Sequence, residues 1–213
     1  MNFDGTLNSV YTIAHELGHS MHSLAFNHQP VHAESEIFFA EISSITNEIL
    51  LSDYLLKEYE GNLEKTLHIL QEMIFNFFAT TTRQIVFSDF EFTVNDLINK
   101  KQPINPQVIK NIYAQKIVQY YGYNEKYFNK LLTDNNLFLN LSHIFRISHF
   151  YERVFYVYKY AIGQVAAMIN AQNIIQQKES ALNCFQRFLA SGNSLSPIDT
   201  VSLLGINLQS SEP

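Results

Sequence analysis

Apolar residues recur every three or four positions through most of this chain, the spacing of helices that bury one face. Glycine and proline, which punctuate helices, are missing from long stretches, so helix is the expected state there. The first run covers Thr6 to Phe26, with Asp4, Thr6 and Asn8 as candidate caps. Asn27 to Ala33 contains a proline and several polar groups and is predicted as a connection. A second helix is predicted from about Glu34 to Glu58, with Ile37, Phe38, Ile42, Ile45, Ile49 and Leu56 on its apolar face and Glu34 and Glu36 near its start. After Gly61-Asn62, one long helix is predicted over Leu63 to Asn99, with Leu67, Leu70, Ile74, Phe77, Phe78, Ile85 and Phe92 as its core stripe. Pro103 and Pro106 mark a turn, and a further helix runs to about Tyr120 before Gly122. Tyr123 to Phe145 is the least periodic part, and Asp134-Asn135-Asn136 reads as a surface loop. Phe150 to Gln177 and Glu179 to Ala190 are predicted helical, and Ser196-Pro197 opens a short last helix. No strand pair or internal repeat emerges, so the predicted class is all-α.

Composition narrows the field. The chain has 213 residues, of which 46% are hydrophobic and 16% charged, enough apolar surface for a sizeable core. The formal net charge of −6, with no block of Lys or Arg, argues against a nucleic-acid partner. A single cysteine, Cys184, excludes an internal disulfide framework and accords with a reducing compartment. Residues 1–14 lack the basic and apolar regions of a secretory signal. No apolar run reaches the roughly 18 residues of a membrane span; the longest candidate, Phe155 to Ala171, carries Lys159, Gln164 and Asn170. The expectation is a soluble cytoplasmic protein with no membrane partner.

Against this background one pentapeptide stands out: His15-Glu16-Leu17-Gly18-His19, followed by Glu41. On a helix, His15 and His19 project from one face, one turn apart. Two imidazole nitrogens and a later carboxylate oxygen make the three-ligand form of a catalytic zinc site, with a fourth position open. His15, His19 and Glu41 are therefore the candidate ligands of one Zn2+. Glu16 is the candidate general base for the water that the metal activates. The competing reading is a salt-bridged His/Glu cluster on a helix surface. The apolar or small neighbours Ile13, Ala14, Leu17 and Gly18 speak against it, and a mid-helix Gly18 suits close approach by another segment or a substrate. A di-iron bundle would need a second ExxH, and the chain has none. Glu48, seven beyond Glu41 on the same face, either orients a ligating histidine or is a solvated carboxylate. His22 is either a group behind the ligands or a core histidine.

Between His149 and Tyr160 lies an aromatic run, HFYERVFYVYKY. Read as a continuous helix, it places Tyr151 and Tyr158 on one face and Tyr156 and Tyr160 on another. Two readings stay open. It is a tyrosine-rich core helix with hydroxyls at the surface, or a set of donors aimed at an oxyanion and a substrate backbone.

Several segments together resemble the M3 zinc oligopeptidases, nearest to the oligoendopeptidase F branch. Ala14-His15-Glu16-Leu17-Gly18-His19-Ser20-Met21-His22-Ser23 is similar to that family's metal motif. Phe39-Ala40-Glu41-Ile42-Ser43-Ser44, continuing to Asn47-Glu48, is similar to its third-ligand segment. Ile147 to Tyr151 and Phe155 to Ala161 are similar to its His/Tyr substrate-binding segment, although Ser148 stands where the branch usually has proline. Phe188 to Gly192 and Ser196-Pro197-Ile198 complete the match. The resemblance implies a mostly helical, zincin-like fold with a deep channel, one zinc per chain, and cleavage of short unstructured oligopeptides. It assigns metal ligation to His15, His19 and Glu41 and base catalysis to Glu16. It assigns donor roles to His149, Tyr151 and Tyr158. Family members carry a large additional N-terminal portion, so residues 1–213 are expected to be the C-terminal catalytic part. A separate N-terminal polypeptide is then a possible partner, and apolar surface facing it is expected to be exposed.

Overall fold

A computed structural model describes residues 3–27, 31 and 37–210. Among these every regular element is helical, in agreement with the all-α expectation. In chain order the helices are α1 (Leu7–Phe26), α2 (Ile37–Glu58) and α3 (Leu63–Phe77), then a π turn (Phe78–Thr82) that leads into α4 (Arg83–Asn99). Next come α5 (Pro106–Tyr121), α6 (Glu125–Thr133), α7 (Asn135–Asn140) and a 3-10 turn (Leu141–Arg146). The last four are α8 (His149–Glu152), α9 (Tyr158–Gln177), α10 (Glu179–Ala190) and α11 (Pro197–Ser202). Residues 34–36, predicted to open α2, and the side chains of Ile37 and Phe38 lie outside the described residues. The chain divides into two compact units, Met1–Phe77 with Ile162–Pro213, and Phe78–Ala161.

The first unit is built on α1 and α2. Thr6 caps α1, its hydroxyl accepting the Ser9 N–H at 3.3 Å. Asp4 in turn accepts from the Ser9 hydroxyl and from the Thr6 hydroxyl and N–H, and these bonds, that from Ser9 first, lower its carboxyl to about 2. Phe39, Ile42 and Ile45 of α2 are buried against Ala166 and Ala167 of α9 and against Phe185, Phe188 and Leu189 of α10. The alanines let α9 approach closely, and Asn170 donates a buried hydrogen bond to Thr46 Oγ1 at 3.2 Å. Buried Ser43, Ser44 and Thr46 satisfy their own hydroxyls on α2 carbonyls one turn back, so they cost little in the interior.

The second unit packs α4, α5 and the following short helices around Val86, Phe87, Phe90, Tyr113, Ile144 and Val157. Helix α5 opens with Asn105 accepting from Val108 N–H and Pro106 in its first turn. It closes at Gly122, whose φ of 69° is the left-handed stop that favours glycine.

Three expectations are corrected. The span from Leu63 to Asn99 is helical throughout, but its predicted stripe is not the core: Leu67, Leu70, Ile74, Phe78, Ile85 and Phe92 are exposed, and Ile69, Val86, Phe87 and Phe90 are buried instead. Apolar side chains occupy more than one face here, so periodicity alone does not single out the buried one. Tyr123 to Phe145, the least periodic part of the sequence, holds α6, α7 and most of the 3-10 turn, so the expected loop at 134–136 shrinks to one non-helical residue. That residue, Asp134, caps α7, accepting from the Asn136 and Leu137 N–H groups. The third is the aromatic run, which breaks between Glu152 and Tyr158, with Phe155 at a φ of +56°. Tyr151 and Tyr158 therefore sit on two helices and share no face.

Candidate metal centre

The centre begins with a missing side chain. Gly18 is buried in α1, and a Cβ placed there would run into Ser44 Cα and lie 2.8 Å from Ser44 N and 2.9 Å from the Ser43 carbonyl oxygen. Only glycine lets the backbone of α2 come this near. The close segment expected from Gly18 is α2 of the same chain. The Asn47 side chain donates to the Ala14 carbonyl at 3.3 Å and ties the same two helices. Glu41, one turn before Ser44, is thereby carried to the face that bears His15 and His19.

There the donors converge. One ligand atom each from His15, His19 and Glu41 falls within 4.8 Å of the others. The Nε2 atoms of His15 and His19 are 3.0 Å apart, and His15 Nε2 is 3.6 Å from Glu41 Oε2. A tetrahedral cation with ligands at ~2.0–2.2 Å sets donor separations near ~3.3–3.5 Å, so these two edges bracket the required size. All three side chains are half-buried.

Behind His15 stands Glu48. The His15 Nδ1 donates to Glu48 Oε1 at 2.5 Å. In the neutral imidazole that bond keeps the proton on Nδ1 and leaves the Nε2 lone pair facing His19 and Glu41. Of the two readings left open for Glu48, the structure realises the orienting one. Burial works against a charged His15, but the Glu48 hydrogen bond and the charges of Glu48, Glu41 and Glu16 outweigh it and hold the imidazole above its usual range. Burial pushes the Glu41 carboxyl up despite the opposing pull of His15 and His19. Electron-rich atoms facing one another in a half-buried site are stabilised by a cation. Two imidazoles and one carboxylate form the donor set of catalytic zinc, so the residues present fit one Zn2+.

Glu16 is exposed and lies off the metal face, as its place one residue after His15 requires. His22 belongs to the core: it is 2% exposed, stacked on Phe188 and edge-on to Phe26. Burial, then the nearby His19, lower it to about 4, so it is neutral at physiological pH.

In the second unit, His149 opens α8 and lies in a ring cluster with Tyr156 (centroids 6.1 Å apart) and Tyr160 (5.8 Å), and Tyr160 is 5.7 Å from Tyr156. Tyr160 Oη approaches His149 Nε2 at 3.4 Å. The Tyr156 hydroxyl is buried with no hydrogen-bond partner among the described residues. Tyr151 and Tyr158 are exposed, and the Tyr151 hydroxyl donates to the Phe145 carbonyl at 3.3 Å. The run is not the continuous core helix of the first reading: Val157 is buried, Tyr151 and Tyr158 are exposed, and Tyr156 and Tyr160 are half-buried. One residue of consequence gave no signal in the sequence. Glu91 looks like any helix-surface carboxylate, yet it is buried and accepts the Phe155 N–H.

Among the described residues no helix is long and apolar enough to cross a membrane. The sequence profile of peptidase family M3 matches residues 1–213. The chain is 44% identical, over its whole length, to 35% of an oligoendopeptidase F homolog from Mycoplasma genitalium. It is 36% identical, again over its whole length, to 30% of the oligopeptidase PepF of Bacillus subtilis. The crystal structure of oligoendopeptidase-F from Enterococcus faecium superposes with a TM-score of 0.76 at 29% identity, covering 94% of this chain and 34% of that one. The chain thus spans about a third of the length of the curated relatives it matches.

Proposed function

The chain belongs to peptidase family M3, and from that premise we propose that it is the C-terminal catalytic portion of a zinc-dependent endopeptidase that hydrolyses internal bonds of short, unstructured oligopeptides. The observation that carries this reading is the convergence of His15, His19 and Glu41 donors within 4.8 Å, with Glu48 fixing the His15 tautomer. When bound, zinc supplies Lewis acidity, acidifying water and polarising the scissile carbonyl.

The chain's own residues do the rest. His15, His19 and Glu41 hold the cation. Glu16, as a carboxylate, takes a proton from the attacking water and returns it to the leaving amine nitrogen as the C–N bond breaks. The elements of water are thus added across the peptide bond, and Glu16 ends unprotonated. His149, Tyr151 and Tyr158 are the proposed donors to the carbonyl oxygen as negative charge grows on it. The proposed setting is the cytoplasm, which suits a chain with one cysteine.

A second reading is that the chain binds zinc but needs the rest of a longer polypeptide, or a separate N-terminal partner, to complete its cleft. Exposed apolar side chains support it: Leu17 and Leu24 on α1 and Leu63, Leu67 and Ile74 on α3 are each more than half exposed. The two readings separate in one experiment. The protein is purified without added metal, its zinc is measured, and a quenched fluorogenic peptide is offered with and without chelator. One zinc per chain and chelator-sensitive hydrolysis support the first reading. Zinc binding with hydrolysis only after the missing portion is supplied supports the second. Absence of bound zinc overturns both.

A further inference from the structure

Glu91 is a carboxylate that the proposed chemistry does not use. It lies on α4, 3% exposed, one residue from Phe90. The rings of Phe87 and Phe90 receive Phe150 at centroid distances of 5.7 and 5.4 Å, so the start of the aromatic run is packed on this same helix. Val157, at the other end of the break, is buried in the same cluster. Between those two apolar anchors, Glu91 Oε1 accepts the backbone N–H of Phe155 at 2.8 Å.

That bond replaces a helical one. In an unbroken helix the Phe155 N–H would donate to the Tyr151 carbonyl four residues back. Glu91 takes the donor instead, and Phe155 adopts a φ of +56°, a region that aromatic residues seldom occupy. The other carboxyl oxygen, Oε2, is buried with no hydrogen-bond partner among the described residues, so packing alone does not account for a carboxylate here. Burial raises the carboxyl above its usual range, against the Phe155 N–H and the nearby His149, which pull it down.

We propose that Glu91 is a positioning residue for the His/Tyr donor segment: by holding the Phe155 N–H it fixes the break between α8 and α9, and with it the directions in which His149, Tyr151 and Tyr158 present their donors. The proposal rests on the reading of this segment as donors to substrate. Were the segment one helix, Tyr151 and Tyr158 would share a face, and His149 would stand two turns, about 10 Å along the axis, from Tyr156. A donor displaced by about an ångström can lower turnover by about a hundredfold.

The test uses zinc-loaded protein and three variants, read by amide hydrogen exchange over residues 153–157 and by peptide kinetics. Glu91→Gln keeps an acceptor oxygen for Phe155. Glu91→Met keeps the volume but removes the acceptor, so it leaves the core filled. Glu91→Gln is expected to preserve Phe155 protection and to change kcat by less than about threefold. Glu91→Met is expected to lose that protection and to lower kcat by about 10- to 100-fold, with zinc content and urea stability kept and KM changed less than kcat. Adding Phe155→Gly to Glu91→Met should restore part of kcat, because glycine adopts a positive φ without the acceptor's help. Undiminished Phe155 protection in Glu91→Met overturns the proposal, as does full kcat once that protection is lost. Equal damage from Gln and Met in both readouts also overturns it, because the acceptor would then not be what matters. If the wild-type protein hydrolyses no peptide even with the missing portion supplied, the peptidase reading fails by itself, and the exchange comparison still decides whether Glu91 anchors the break.

Discussion

Gly18 of α1 lies directly against the backbone of Ser44 of α2, with no room between them for a side chain. This contact sets the spacing of the two helices that carry the metal ligands. In an isolated helix, alanine at this position would gain about 1 kcal/mol over glycine. Here the added methyl meets backbone atoms, which cannot rotate away as a flexible side chain can. Overpacking of this kind costs about 1–3 kcal/mol. Gly18→Ala is therefore expected to lower stability, and to weaken zinc binding by moving Glu41 away from the histidines. Urea denaturation and a chelator-competition titration check the two effects. An unchanged zinc affinity would show that the helix spacing does not govern the centre.

Removing Glu48 is expected to loosen His15 without removing a ligand. Groups that orient a ligating histidine typically contribute 10- to 100-fold in metal affinity. Glu48→Ala should fall in that range, and Glu48→Gln should lose less, because its amide oxygen still accepts from Nδ1. Competition with a chromophoric chelator measures both. Equal affinities in all three proteins would reduce Glu48 to a bystander.

Glu16→Gln separates holding the metal from using it. Glu16 is exposed and is not among the converging donors, so the variant should keep its zinc. Loss of a general base typically lowers turnover by about 10²–10⁴-fold. Zinc content and single-turnover cleavage of a quenched peptide are the measurements, and near wild-type cleavage would remove Glu16 from its role.

His22 predicts an acid-sensitive core. Its folded-state pKa is lowered from 6.5 to about 4, so between those values the unfolded chain binds a proton there and the folded chain does not. Stability is therefore complete above pH ~6.5 and falls as pH drops towards ~4, by about 3 kcal/mol from this group. Urea midpoints of the metal-free protein at pH 7 and pH 4.5 test this without metal release entering. His22→Phe, which sets a ring of similar shape beside Phe26 and Phe188, should flatten that part of the profile. A profile with the same slope would assign the loss to other groups.

Much of the helix framework was legible in the sequence because its signals are local. Thr6, one of three candidate caps, does cap α1, Ser196 opens the last helix as expected, and Gly122 stops a helix through its own backbone freedom. Asp134 shows how a local signal can be right in place and wrong in kind: the break is real, but its side chain starts another helix. The face of Leu63 to Asn99 was misread because apolar residues surround that segment, and periodicity cannot choose among apolar faces. The choice falls to packing partners distant in sequence.

The sequence by itself determined the helical class and the convergent donor set of His15, His19 and Glu41, because a four-residue repeat and a ligand's chemistry are properties of residue type and spacing. Tertiary structure alone decided that Glu48 holds His15, that Gly18 admits the backbone of α2, and that Glu91 breaks the aromatic run at Phe155. These three depend on which residues meet across 26 to 64 positions of chain. Such meetings are settled by how apolar faces pack in three dimensions, and no local pattern records them.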